Sequence, residues 1–230
     1  MQVAAMMVYG LRSYLSSTVG KKFVMGVTGL IWAGFVFLHM LGNLLIFAGP
    51  EVYNSYAHQL TSSGLIYVAE FILLGALLTH VILAIQLTLS NRAARGSQPY
   101  ACTARGSKSV LLSSRTMMFH GSMLLVFLIT HLMGFKFGNY YETTVNGVVM
   151  RDLHRLVVEV FSQPLAVLWY LVALVLLGVH LSHGVGSIFQ SLGLKTLSNE
   201  ALIKSLSWTY AIVVTLGFLS QPIYVFLMMR

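Results

Sequence analysis

Five apolar stretches, at about residues 23–48, 65–89, 117–137, 165–189 and 206–228, dominate this chain. Each reaches the roughly 20 residues that a helix needs to cross a hydrocarbon core about 30 Å thick. In that solvent every backbone N–H and C=O must be satisfied within the segment, so stretches of this kind fold as helices. The sequence therefore predicts an all-α fold, a membrane bundle of five transmembrane helices forming a single domain over residues 1–230. Only 9% of the residues are charged, against about a quarter in soluble domains. The short connections leave no soluble domain, so chemistry that needs a large water-facing fold falls to another polypeptide.

Lys21 and Lys22 before the first span resemble the start of a secretory signal. The apolar run is too long for one, begins too deep in the chain and lacks a small-residue cleavage site, so it reads as a retained helix. The net charge of +8 reads as topology, not nucleic-acid binding. With the N-terminus in the cytoplasm, the inner segments hold Arg12, Lys21, Lys22, Arg92, Arg95, Arg105, Lys108, Arg115, Lys195 and Lys204, while the outer ones hold only Lys136, Arg151, Arg155 and Arg230. That bias satisfies the positive-inside rule and puts the C-terminus outside. The single cysteine, Cys102, excludes a disulfide or a thiolate cluster within the chain.

Punctuation along the chain supports the same division. Residues 1–22 read as an amphipathic lead-in in which Ser16-Ser17-Thr18 offers a helix cap, and Gly49-Pro50 ends the first span. Val52–Ser63 reads as a short interfacial turn, and residues 90–116 as a long, mobile inner loop. Asn146-Gly147 signals a turn, residues 151–161 a surface helix, Pro164 the start of the fourth span, and Pro222 lies near the outer end of the fifth. No internal repeat is evident.

Ionisable residues inside a span are costly and mark function by default. His39 lies in the first span, His80 in the second, His120 and His131 in the third, and His180 and His183 in the fourth, with Glu70 the one evident acid among them. Six imidazoles with so few acids are not ion pairs; they point to metal ligation, and haem iron takes axial histidine while its macrocycle buries itself among apolar helix faces. Depth sorts them, because consecutive helices alternate in direction and each residue advances about 1.5 Å. His39 and His131 fall in the outer half and His80 and His183 in the inner half, giving two bis-histidine haem b sites stacked across the membrane. His180, one turn before His183, is the alternative inner ligand; Gly184 favours His183 because it admits a bulky ring beside the backbone. His120 falls near the inner surface, as an interfacial hydrogen-bonding residue or a contact to a propionate or quinone. Gly26, Gly29, Gly34, Gly42, Gly75 and Gly178 make room for rings or for close helix packing. The quinol-oxidising b subunits of the bc type place two ligands on each of two helices, at a spacing that no helix here has.

The chain resembles the five-helix, di-haem cytochrome b membrane anchor of succinate dehydrogenase/fumarate reductase, the complex II of the tricarboxylic acid cycle. The resemblance rests on Ser16-Ser17-Thr18-Val19-Gly20-Lys21-Lys22, His39-Met40-Leu41-Gly42-Asn43, Gly49-Pro50-Glu51-Val52-Tyr53-Asn54, and His183-Gly184 followed by Phe189-Gln190-Ser191-Leu192-Gly193-Leu194. It runs from about residue 12 to residue 228. It implies a multi-pass protein of a prokaryotic cytoplasmic membrane, with a flavoprotein and an iron–sulfur protein docked on the cytoplasmic face. The flavin, the clusters and the dicarboxylate chemistry reside on those partners. Electrons would pass through the inner haem and the outer haem to a quinone, typically menaquinone, or in reverse for fumarate reduction. The family's ligation, first helix with third and second with fourth, coincides with the pairs obtained from depth.

The resemblance places a quinone-linked acid near Glu51, which reads equally as a solvated turn residue. Lys195 and Arg115 are propionate partners for the inner haem or ordinary inside-positive charge. The glutamate that the family can carry two residues before the fourth-helix ligand is Leu181 here, so no proton-moving role transfers to it. Two other readings stand beside this one: a cytochrome b anchor of another respiratory dehydrogenase, and a histidine-lined membrane transporter.

Overall fold

In a computed structural model, residues 10, 12–95 and 116–229 are described. The chain is an all-α membrane bundle with one small departure. Helix α1 covers Thr18–Leu44 and runs into a 3-10 turn, Leu45–Ala48; α2 covers Pro50–Ser62, α3 Leu65–Arg95 and α4 Met117–His131. A π-helical turn, Leu132–Lys136, follows α4 directly. Strands β1 (Glu142–Val145) and β2 (Val148–Arg151) come next, then α5 (Leu153–Phe161), α6 (Pro164–Ser191) and α7 (Glu200–Met228). The five long helices α1, α3, α4, α6 and α7 are long and apolar enough to span a bilayer, which makes this a multi-pass membrane protein.

The local signals explain most boundaries. Ser17 caps α1 by accepting the Gly20 N–H at 3.1 Å. Gly49 adopts φ +94°, a conformation only glycine holds without strain, and Pro50 then starts α2 as its first residue. The stretch expected as an interfacial turn at 52–63 is thus a full helix. Pro164 opens α6 in the same way. Asn146 and Gly147 both have positive φ, the requirement of a type I′ hairpin turn; they fold the outer loop into an antiparallel pair, Glu142 opposite Arg151. Helix α3 runs six residues beyond the expected end at 89 and α7 begins six residues before the expected start at 206, each extension more than one helical turn. The rest of the inner loop, with Cys102 and Arg115, lies outside the described residues, as does most of the lead-in before Arg12.

Helices α6 and α7 form the tightest pair; α1 packs on α3, α6 and α7, and α4 on α6. Among the described residues α3 packs along α1 and has no extended packing on α4 or α6. Leu181 is buried with Met40, Ala211 and Val214, an apolar setting that explains why no acid stands there. At one end of the bundle α2, the hairpin and α5 form a cap. Asn54, almost wholly buried, holds it together: its amide donates to Asp152 Oδ1 at 2.9 Å and its carbonyl accepts the His154 N–H at 2.9 Å. Arg151 donates to the carbonyls of Phe135 (2.8 Å) and Asn139 (3.0 Å), clamping the chain where it leaves the π turn. Lys136 at the end of that turn forms an ion pair with Glu70 on α3; the one acid expected within a span therefore has a basic partner.

Candidate functional site

The outer histidines meet. The rings of His39 on α1 and His131 at the end of α4 lie 5.8 Å apart between centres and almost perpendicular. A metal gripped by two imidazoles, each bond about 2 Å long, keeps the ring centres about 6 Å apart, so the separation matches a shared metal. Phe35 stacks on His39 at 5.2 Å, and Phe127 and Phe135 flank His131 at 5.7 and 5.4 Å. This apolar collar excludes water. The π turn begins at the residue after His131, and such turns recur at functional sites.

A bond to one ring nitrogen leaves the other free to ligate, and the side chain that makes this bond orients the ring. His131 Nδ1 lies 3.0 Å from the Tyr170 hydroxyl. Asn43 donates to the His39 carbonyl at 2.8 Å, and its amide nitrogen lies 3.4 and 3.5 Å from the two ring nitrogens of His39; the Asn43 side-chain carbonyl in turn accepts the Tyr53 hydroxyl at 2.8 Å. Burial, with Tyr56 adding to it, pushes the Tyr53 phenol up, so it stays a donor. The motif residues Asn43 and Tyr53 thus tie the cap to His39, and Gly42 admits the Tyr56 ring where a Cβ would collide with it.

The inner level gathers four histidines. His80 on α3 lies over Gly29 of α1 and sits 3.1 Å from Thr28 Oγ1. The Thr28 hydroxyl is already within 3.0–3.1 Å of the Val24 and Met25 carbonyls, so His80 donates Nδ1–H to it and Nε2 keeps its lone pair. His183 on α6 bonds Ser187 Oγ through Nε2 at 3.1 Å, and that hydroxyl donates to the His183 carbonyl at 3.0 Å. By the same reasoning His183 presents Nδ1. His180 lies near His80, His120 and His183 and over Gly121 of α4. The buried Nδ1 atoms of His120 and His180 have no hydrogen-bond partner.

A partition follows. The four histidines paired by depth each have a side chain addressing the ring, while His120 and His180 have a buried nitrogen left over. Among the described residues no three His, Cys, Asp or Glu side chains converge as a metal-ion cage, and of the two pairs sorted by depth the ring contact seen is that of His39 with His131. The glycines divide too. Gly34, Gly75 and Gly184 have no atom within 4 Å of where a Cβ would stand, Gly34 and Gly75 lying on exposed faces, whereas Gly26 and Gly178 pack against Ser191 and Thr215. The residues present at the His39–His131 level therefore fit a haem, and His80 and His183 each keep a ring nitrogen free for a second.

The remaining candidates lie apart. Glu51 is exposed in the first turn of α2, where its charge complements the helix N-terminus. Lys195 pairs with Glu200 at 2.7 Å, so it already has a carboxylate. Sequence reasoning missed Tyr170, Thr28 and Ser187. Asking where each membrane-embedded hydroxyl finds a partner is the signal that selects such residues. It also missed His154 in the cap, buried beside the Tyr53 ring with Nε2 unpartnered; burial lowers its pKa and Asp152 opposes that.

The chain matches no family model, no curated protein and no solved structure in comparisons with known proteins.

Proposed function

We propose that the chain is the di-haem cytochrome b anchor of a succinate:quinone oxidoreductase in a prokaryotic cytoplasmic membrane, with its N-terminus inside and C-terminus outside. The observation that carries the reading is the His39–His131 pair, 5.8 Å apart across two helices and braced by Tyr170 and Asn43. His80 and His183 hold the second haem at the inner level. Bound haem supplies one-electron storage at two depths in the bilayer. The chain's own part is to fix the imidazoles, keep water from them and anchor the flavoprotein and iron–sulfur subunits. The outer haem lies toward the quinone, of which menaquinone is the expected kind, and the subunit serves succinate oxidation or fumarate reduction.

The test uses the full chain expressed with its neighbouring subunits in membranes. A reduced-minus-oxidised spectrum is expected to show b-type bands equal to two haems per chain, and replacement of His39, His80, His131 or His183 by alanine to remove one haem each. Full haem content after replacing all four would refute the assignment. Co-purification of a hydrogenase or formate dehydrogenase in place of a flavoprotein that oxidises succinate would assign the chain to another respiratory complex, and a haem-free protein that conducts ions would make it a transporter.

A further inference from the structure

Helix α1 carries both histidine levels on a single stripe. Thr28 and Gly29 meet His80, and His39 meets His131; between them, at helical spacings of three and four, stand Trp32 and Phe35. Trp32 packs edge-on against Phe35 at 5.6 Å, and Phe35 stacks on His39. By helix rise Trp32 lies about 5 Å beyond Gly29 and about 10 Å short of His39.

The indole Nε1–H of Trp32 is buried and has no acceptor. Indole can only donate, and buried donors are nearly always satisfied. Helix carbonyls accept side-chain donors elsewhere in this bundle, as His39 does from Asn43 and His183 from Ser187, but among the described residues none accepts from Trp32. A bound group that brings its own acceptor would satisfy this donor. Haem brings hydrogen-bond acceptors in its two propionate carboxylates, which need donors in an apolar interior.

We infer that Trp32 is a haem-anchoring residue whose indole N–H donates to a propionate directed toward the middle of the bilayer, between the two histidine levels. This rests on the di-haem reading above. The haem at either level can supply the carboxylate, and the test separates them.

The full-length protein, labelled with 15N at tryptophan and reduced so that the low-spin iron is diamagnetic, is compared by NMR with His39→Ala and His80→Ala. Trp32→Phe assigns the signal, and Trp169, whose indole donates to Thr130 at 3.0 Å, serves as internal reference. The Trp32 N–H is expected downfield, in the hydrogen-bonded range, and to move upfield in one of the two alanine variants; that variant names the haem. Trp32→Phe should keep two haems per chain while shifting the midpoint potential of that same haem. A Trp32 signal identical in all three proteins, with two haems in the wild type, overturns this inference and leaves the di-haem reading standing. A wild-type chain without haem overturns both.

Discussion

The Tyr170 hydroxyl lies 3.0 Å from Nδ1 of His131, joining α6 to the last residue of α4 at the level where His39 arrives from α1. Three helices thus converge on one imidazole. Accepting the Nδ1–H makes the opposite nitrogen the ligating atom and raises its basicity. Tyr170→Phe keeps the ring that packs against Phe161 at 4.9 Å and removes only the acceptor. The outer haem is expected to stay bound with its midpoint potential raised, because a less basic imidazole stabilises the ferric state less. Potentiometric titration of the two haems reads this, and two unchanged potentials would show that Tyr170 does not address a ligand.

Thr28 plays the corresponding part for His80. Thr28→Val keeps the shape and removes the acceptor. Loss of such a partner weakens metal holding by about 10–100-fold, so the inner haem should transfer faster to an excess of apomyoglobin. Thr28→Ser is expected to restore retention; failure of serine to rescue would reduce Thr28 to a packing residue.

His180 and His183 are separated by one experiment. The Ser187 hydroxyl addresses His183, while His180 has an unpartnered nitrogen. His183→Ala is expected to lose the inner haem and His180→Ala to keep it, read as haem per chain. The reverse pattern would transfer ligation to His180.

The outer cap should loosen in acid. Burial lowers the pKa of His154 in the folded cap, with Asp152 opposing the shift, below the roughly 6.5 at which an exposed histidine binds a proton. The unfolded segment then binds more protons than the folded one, so stability rises with pH: it is complete above about pH 6.5 and is lost as the pH falls below that value. Hydrogen exchange of the Leu153–Phe161 amides, corrected for intrinsic rate, should show increased opening at about pH 5 relative to about pH 7.5. The same comparison in His154→Leu should be flat, and an equal acid response there would place the sensitivity elsewhere.

Boundaries and turns are legible in the amino-acid sequence because the residues that set them act locally. Ser17, Gly49, Pro50, Pro164 and Asn146-Gly147 work through their own backbone geometry, and each marks a boundary or a turn. The meeting of His39 with His131 is legible because rise along a helix is fixed. The Pro50–Ser62 helix is not, since a short polar segment reads as a turn; what supports it is the cap, where Asn54 binds Asp152 and His154 about a hundred residues away.

The sequence by itself determined how many spans there are and about where they lie, since apolar length is a property of a segment alone. Only the tertiary structure decided how each helix is rotated. These spans are apolar nearly all round, so no stripe in the sequence tells which face turns inward, and rotation follows from packing. That packing set Tyr170 against His131, Thr28 against His80 and Ser187 against His183, and left the Trp32 N–H buried without an acceptor.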